Sequence, residues 1–190
     1  MTTQTREERC KSCEIHKAIG NILRSISNTC ECMRKEDAQG IVSCLPILFS
    51  TMTVFWNRVG VNILEAAWLK YPGVCPYCLR EKICSCIVQE LHYSRDKDAL
   101  EALREDKENR PQSIAEWQTM LERIYGNVNK IKSTYAVWFH FIEEIGEVSS
   151  ALENDDCDNL LEECADMFAW FLAFCTKLHV SADKIAEAHL

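Results

Sequence analysis

Helix breakers are scarce: the chain has only six glycines and four prolines in 190 residues. No stretch alternates apolar and polar residues with a period of two. This excludes a turn-rich sandwich or barrel and leaves helices. Basic residues are outnumbered, with 21 Lys and Arg against 29 Asp and Glu, a formal net charge of -8. Sequence-independent nucleic-acid binding needs the opposite balance. No nucleic-acid partner is expected, and a phosphate-bearing ligand would need metal ions to screen the repulsion. Long apolar runs are lacking as well. The longest candidate, MFAWFLAFC at 167–175, is about half a membrane span. The N-terminal MTTQTREERCKSC carries charge where a secretory signal would be apolar. The expectation is a cytoplasmic protein with no membrane partner.

Apolar residues make up 47% of the chain, enough to build a core in one moderate domain or two small ones. The chain reads as a succession of helices. Thr5 and Glu8 are spaced as a capping box, opening a helix to about Ile26. A second helix is expected from about Ile41 to Arg58, and a short third in VNILEAAWLKY, ended by Pro72-Gly73. HYSRDKDALEALREDKENRP has mixed charge and no apolar stripe, as in a solvated connector. Beyond Pro111, Ser113 and Glu116 form a better capping box. Ile114, Trp117, Leu121, Ile124, Tyr125 and Val128 follow at helical spacing. Three more helices are expected at about 134–153, 158–178 and 181 to the end.

A weak repeat is visible within the chain. KAIGNILRSI (17–26) lies over EEIGEVSSAL (143–152), and ILEA (63–66) over IAEA (185–188), at offsets of 126 and 122. In that register Lys17, Ala18 and Asn21 stand where the later copy has Glu143, Glu144 and Glu147. The N-terminal copy has then lost its acids. Chance similarity between amphipathic helices is the competing explanation.

Those acids form the main chemical signal. On a helix, Glu143, Glu144 and Glu147 share an arc of about 100°. Phe141, Ile145, Val148 and Leu152 lie opposite. Taken alone, this is an ordinary surface helix. The next helix carries Glu162, Glu163 and Asp166 on its first turns and is then apolar on every face from Met167 to Cys175, so it should be buried. A short loop, ENDDCDN, makes the two helices antiparallel neighbours. Four or five carboxylates can then converge, and an all-oxygen set suits Mg²⁺ or Mn²⁺. A di-iron bundle would need Glu-x-x-His on two helices, which the chain lacks.

Glu144-x-x-Glu147, fifteen residues, then Glu163-x-x-Asp166 resembles the motif of the MazG-like all-α nucleoside triphosphate pyrophosphohydrolases. The resemblance covers about residues 111–190, with HFIEEIGEVSSAL and ECADMFAWFLAF flanking the acids. It implies a helical bundle of that type. It also implies hydrolysis of a nucleoside triphosphate, ribose or deoxyribose, to monophosphate and pyrophosphate. Glu144, Glu147, Glu163 and Asp166 would be catalytic and, with Glu143, would hold Mg²⁺. It further suggests Trp117 for stacking on the base, although core is the commoner role at that spacing, and Lys130 and Lys177 for phosphate. Homo-oligomers, dimers in the simplest case, are the family habit. The chain departs from the pattern by ending at AEAHL, without the further basic or Asn residues that commonly follow.

Twelve cysteines are many for a reducing compartment, and pairing in sequence suggests metal ligation before disulfides. Cys75, Cys78, Cys84 and Cys86, in CPYCLREKICSC, are spaced for a structural tetrahedral Zn²⁺. This predicts a small zinc-binding insertion. Cys10, Cys13, Cys30 and Cys32 could make a second zinc site if the chain turns back, or share ligands with the first. The expected organisation is 1–92 as a Cys-rich helical half, 93–111 as a charged connector and 112–190 as the catalytic domain. The rival is a zinc-stabilised helical module that binds a nucleotide or protein and performs no chemistry.

Overall fold

In the computed structural model, residues 6–84, 86 and 95–188 are described, with side chains from residue 13 onward. They are helical throughout, with no strand among them. The helices are α1 (Arg6–Arg34), α2 (Ala38–Val59), α3 (Ile63–Lys70), α4 (Lys97–Arg104), α5 (Ile114–Ile131), α6 (Thr134–Glu153), α7 (Cys157–Lys177) and α8 (Ala182–Glu187). A 3₁₀ turn covers Lys107–Asn109. The all-α expectation holds. Thr5 lies outside the described residues.

Two compact units divide the chain, residues 1–62 with 184–190, and residues 63–183. This division places α3 and the described part of the Cys-rich stretch in the second unit. In the first unit α1 packs on α2. Helix α1 runs eight residues beyond the expected Ile26. There, buried Ser25 and Thr29 spend their hydroxyls on the carbonyls of Asn21 (3.1 Å) and Ser25 (3.0 Å), so polar side chains enter the helix interior without orphaned groups. Helix α2 is long and apolar enough, by length and composition, to cross a membrane. The sequence reading had taken MFAWFLAFC as its best candidate. Leu45, Leu48, Met52 and Phe55 of α2 are fully buried in the protein.

In the second unit α7 is central, with α6, α3 and α5 packed around it. Ser113 caps α5, its Oγ accepting from Glu116 N at 3.2 Å, while Glu116 Oε2 reaches back to Gln112 N at 2.6 Å. Of the segment expected as a solvated connector, residues 95–111 are described; most are exposed, and a few specific contacts dock them. Helix α4 buries Leu100, Trp68 Nε1 donates to Arg104 O (3.0 Å), Arg104 Nε donates to Leu69 O (2.8 Å) and Arg110 pairs with Glu65 (2.8 Å). One buried leucine and a few specific bonds dock a helix too short to show a stripe.

The two hairpins share backbone features at one offset, a different register from the one read in the sequence. Glu36 and Asp155 both adopt left-handed φ, 55° and 53°. Asp37 N donates to Cys32 O and Asp156 N to Ala151 O, both at 3.0 Å. Asp37 and Asp156 then cap α2 and α7. At the far ends, Gly60 (φ 75°) and His179 (φ 57°) are again left-handed. Val61 N bonds Trp56 O at 2.9 Å, and Val180 N bonds Cys175 O at 3.0 Å. Every one of these pairs is 119 residues apart. Buried positions match at the same offset, Ile22 with Phe141, Ile26 with Ile145, Leu45 with Cys164, Phe55 with Phe174. In this register Glu144, Glu147, Glu163 and Asp166 correspond to Ser25, Asn28, Cys44 and Ile47. The first hairpin does lack the acids, but Lys17, Ala18 and Asn21 are not their counterparts.

Candidate functional site

Helices α6 and α7 bring the carboxylates together because three residues, 154–156, join them. Glu144, Glu163 and Asp166 each place an oxygen within 4.8 Å of the others, a spacing at which three groups can hold one metal ion. Glu144 is the deepest, 9% exposed, and its Oε2 is fully buried with no hydrogen-bond partner. Burial, then the charges of Asp166, Glu147 and Glu163, push its pKa up to about 8 against the opposing pull of Lys70. Glu163 rises to about 7, also chiefly through burial; Lys70 opposes, while Asp166 and a hydrogen bond shared with Glu147 add to the rise. Carboxylates buried at this density hold protons near neutral pH.

Glu143 is not part of the group. It is exposed and bonds His140 Nδ1 at 2.8 Å on the outer face of α6. Two residues that the sequence reading missed are part of it. Lys70, at the end of α3, is 7% exposed and forms an ion pair with Asp166 Oδ2, with Glu162 Oε2 at 3.6 Å. Tyr71, next in the chain, donates its hydroxyl to Asp166 Oδ1, and burial followed by the Asp166 charge raises its pKa well above the ordinary value. The available signal was a lysine closing the apolar ILEAAWLKY. Burial pushes Glu162 up, but Arg95, bonded at 2.6 Å, and Lys70 outweigh it and leave it below the usual range.

The four thiols of Cys75, Cys78, Cys84 and Cys86 also converge within 4.8 Å, an arrangement that can hold a metal ion. Their Sγ atoms are separated by 3.4 Å (Cys75–Cys84), 3.8 Å (Cys78–Cys84) and 3.8 Å (Cys75–Cys86). Burial pushes the Cys84 thiol up to about 12, and Cys86 higher still. The loop is anchored to α5: Cys84 N donates to Ile124 O (2.8 Å) and Asn127 Nδ2 to Cys84 O (3.0 Å). Ile83, a β-branched residue at φ 55°, is a strained conformation held by this anchoring.

Among the described residues no second thiol cluster converges. Helix α1 is continuous, so Cys13 and Cys30 stand about 26 Å apart along its axis. Burial, then the neighbouring Cys32, raises the Cys44 pKa. The Cys10 side chain lies outside the described residues. Trp117 is not available for stacking. It is fully buried, edge-on to Trp68 (6.3 Å) and Phe168 (6.2 Å). Lys130 and Lys177 lie near one another, Lys177 Nζ donating to Lys130 O at 3.3 Å. Lys177 is about 16 Å from Asp166 along α7, so this pair stands at the opposite end from the carboxylates.

Between the carboxylates and the thiols a cleft of about 370 Å³ opens, with Tyr71, Tyr125, Trp170 and Asp166 on its wall. Its size suits a small organic ligand. Trp170, one turn beyond Asp166, is stacked on by His140 at 4.4 Å and overlain by Lys132 at 5.8 Å. No protein-family model, curated protein or solved structure matches the chain.

Proposed function

We propose that the chain is a Mg²⁺-dependent nucleoside triphosphate pyrophosphohydrolase of the MazG-like kind. The observation that carries this reading is the unpartnered, buried Glu144 Oε2 within the Glu144–Glu163–Asp166 cluster. A buried carboxylate oxygen without a donor is costly. A hard divalent cation offsets that cost, and an all-oxygen donor set selects Mg²⁺ or Mn²⁺ over softer metals. The fit is therefore good. The ion, when bound, would neutralise phosphate charge and lower the pKa of bound water. Glu144 and Glu163 would hold it, with the exposed Glu147 one turn beyond Glu144 on the same helix, and Lys70 and Tyr71 would fix the orientation of Asp166. Trp170, on the wall of the adjoining cleft, takes over from Trp117 as the aromatic for a base.

The thiol cluster fits zinc in a structural role. Four sulfurs at about 2.3 Å from a tetrahedral ion would be about 3.8 Å apart, against 3.4–3.8 Å here. A disulfide would need about 2.05 Å. A cytoplasmic setting agrees with these reduced thiols. Self-association is part of the proposal, supported by exposed Leu23 (52%), Ile47 (52%) and Val54 (45%) on the first hairpin.

One observation favours the non-enzymatic alternative, a zinc-stabilised module binding a nucleotide or protein: Lys70 already neutralises one acid of the cluster. Pyrophosphate release from a panel of NTPs and dNTPs, with and without Mg²⁺, separates the two. Turnover that needs Mg²⁺ and disappears in Glu147→Gln and Glu163→Gln is expected. Nucleotide binding with no metal-dependent turnover across the panel would establish the alternative.

A further inference from the structure

We infer that the carboxylate cluster takes a single divalent cation, held by Glu144 and Glu163, and that the Lys70 ammonium occupies the place of a second cation against Asp166. The inference rests on the reading of this cluster as a metal centre. Its basis is the unequal way the three converging acids are satisfied.

Asp166 has both oxygens engaged by protein. Oδ2 accepts from Lys70 Nζ and Oδ1 from the Tyr71 hydroxyl. Neither partner is a mobile surface group. Lys70 is 7% exposed and Tyr71 8%. The Lys70 ammonium also donates to Glu162 O at 3.4 Å and pairs with Glu162 Oε2 at 3.6 Å. Tyr71 is held edge-on against Tyr125 at 6.0 Å, and both line the cleft with Cys75 of the thiol loop. Withdrawing Lys70 would strand a buried charge.

The other side of the cluster is the reverse. Glu144 Oε2 has no partner, and Glu163 places an oxygen within 4.8 Å of a Glu144 oxygen. The acceptors in need of a cation are therefore Glu144 and Glu163. A two-ion clamp places its metals about 3.5–4 Å apart. In this cluster the second ion would press against the buried Lys70 ammonium, like charge against like. The site then works with one divalent ion and one fixed monovalent cation supplied by α3. Asp166 becomes the residue that positions Lys70 rather than a direct ligand.

The test is a Mn²⁺ titration of the full-length, zinc-loaded protein, read by electron paramagnetic resonance. The spectrum both counts bound ions and shows spin coupling between close pairs. Wild type should bind one Mn²⁺ with an uncoupled signal, weakened at least about 10-fold in Glu144→Gln. Asp166→Asn should still bind one. Lys70→Gln should admit a second, coupled ion if it remains folded by circular dichroism; should it unfold, the wild-type count decides alone. Two coupled Mn²⁺ in wild type would overturn this inference and leave the metal-centre reading standing. No bound Mn²⁺ would sink both.

Discussion

Replacing Glu144 with Gln should make the metal-free protein more stable, not less. Glu144 is 9% exposed, and its pKa moves from an ordinary 4.5 to about 8 in the fold. The folded chain therefore keeps a proton between those values that the unfolded chain gives up. Stability is highest below 4.5 and falls as pH rises through 8. Each pKa unit is worth about 1.4 kcal/mol, so the ionised side chain costs at most about 5 kcal/mol above pH 8, and on the order of 3 kcal/mol after relaxation of the site. Glutamine keeps the shape and never ionises. For a chain of this size that corresponds to a rise in Tm of about 6–12 °C. Thermal unfolding of both proteins without metal, at about pH 5 and about pH 8.5, reads the effect directly. The gain should be large at the higher pH and small at the lower one. A fixed Mn²⁺ concentration should raise the wild-type Tm by more than that of Glu144→Gln. Equal destabilisation of the variant at both pH values, with Mn²⁺ stabilising both proteins alike, would refute the reasoning.

Three further outcomes are expected. Because Glu163 at about 7 and Glu144 at about 8 must lose protons to bind a cation, Mn²⁺ affinity should climb by up to about tenfold per pH unit for each proton released, and should level off above pH 8; calorimetry in buffers of different ionisation enthalpy counts those protons, and an affinity flat across the window contradicts the assignment. Protein purified under reducing conditions should carry zinc on the thiol cluster, and chelation or Cys78→Ser should lower Tm; absence of zinc by elemental analysis with four freely titrating thiols would exclude a metal there. A fragment beginning at Gln112 lacks Lys70, Tyr71 and the thiol loop, so it should aggregate or fail to bind Mn²⁺; a soluble, active fragment would show that these groups are dispensable.

Helical class was legible because it is written locally, in scarce Gly and Pro, in capping residues such as Ser113 and in the period of Trp117, Leu121, Ile124 and Val128. The carboxylate set was legible for a similar reason: two helices and a three-residue loop bring Glu144, Glu163 and Asp166 together within about twenty residues. Lys70 and Tyr71 were not legible. They reach Asp166 across 96 and 95 residues, and nothing local distinguishes a lysine that ends a buried helix from one that snorkels to solvent. Trp117 and Trp170 sit at the same kind of position in their helices. Only the neighbours decide that Trp117 is sealed between Trp68 and Phe168 while Trp170 lines a cleft. The repeat shows how a pattern can be found in the wrong place. A gapless match of α1 on α6 at offset 126 differs from the backbone register of 119 by seven residues, close to two turns. Such a slip preserves the apolar stripe and leaves periodicity blind to it. The loops resolve the register, through the left-handed residues at Glu36 and Asp155.

The central claim is that Glu144 and Glu163 hold a divalent cation. Anomalous scattering from a Mn²⁺-soaked crystal of the full chain tests it most directly. The account predicts one strong peak at about 2.0–2.2 Å from oxygens of these two residues, with Lys70 still on Asp166. Density without a peak at the cluster, under conditions where pyrophosphate release is supported, would contradict it.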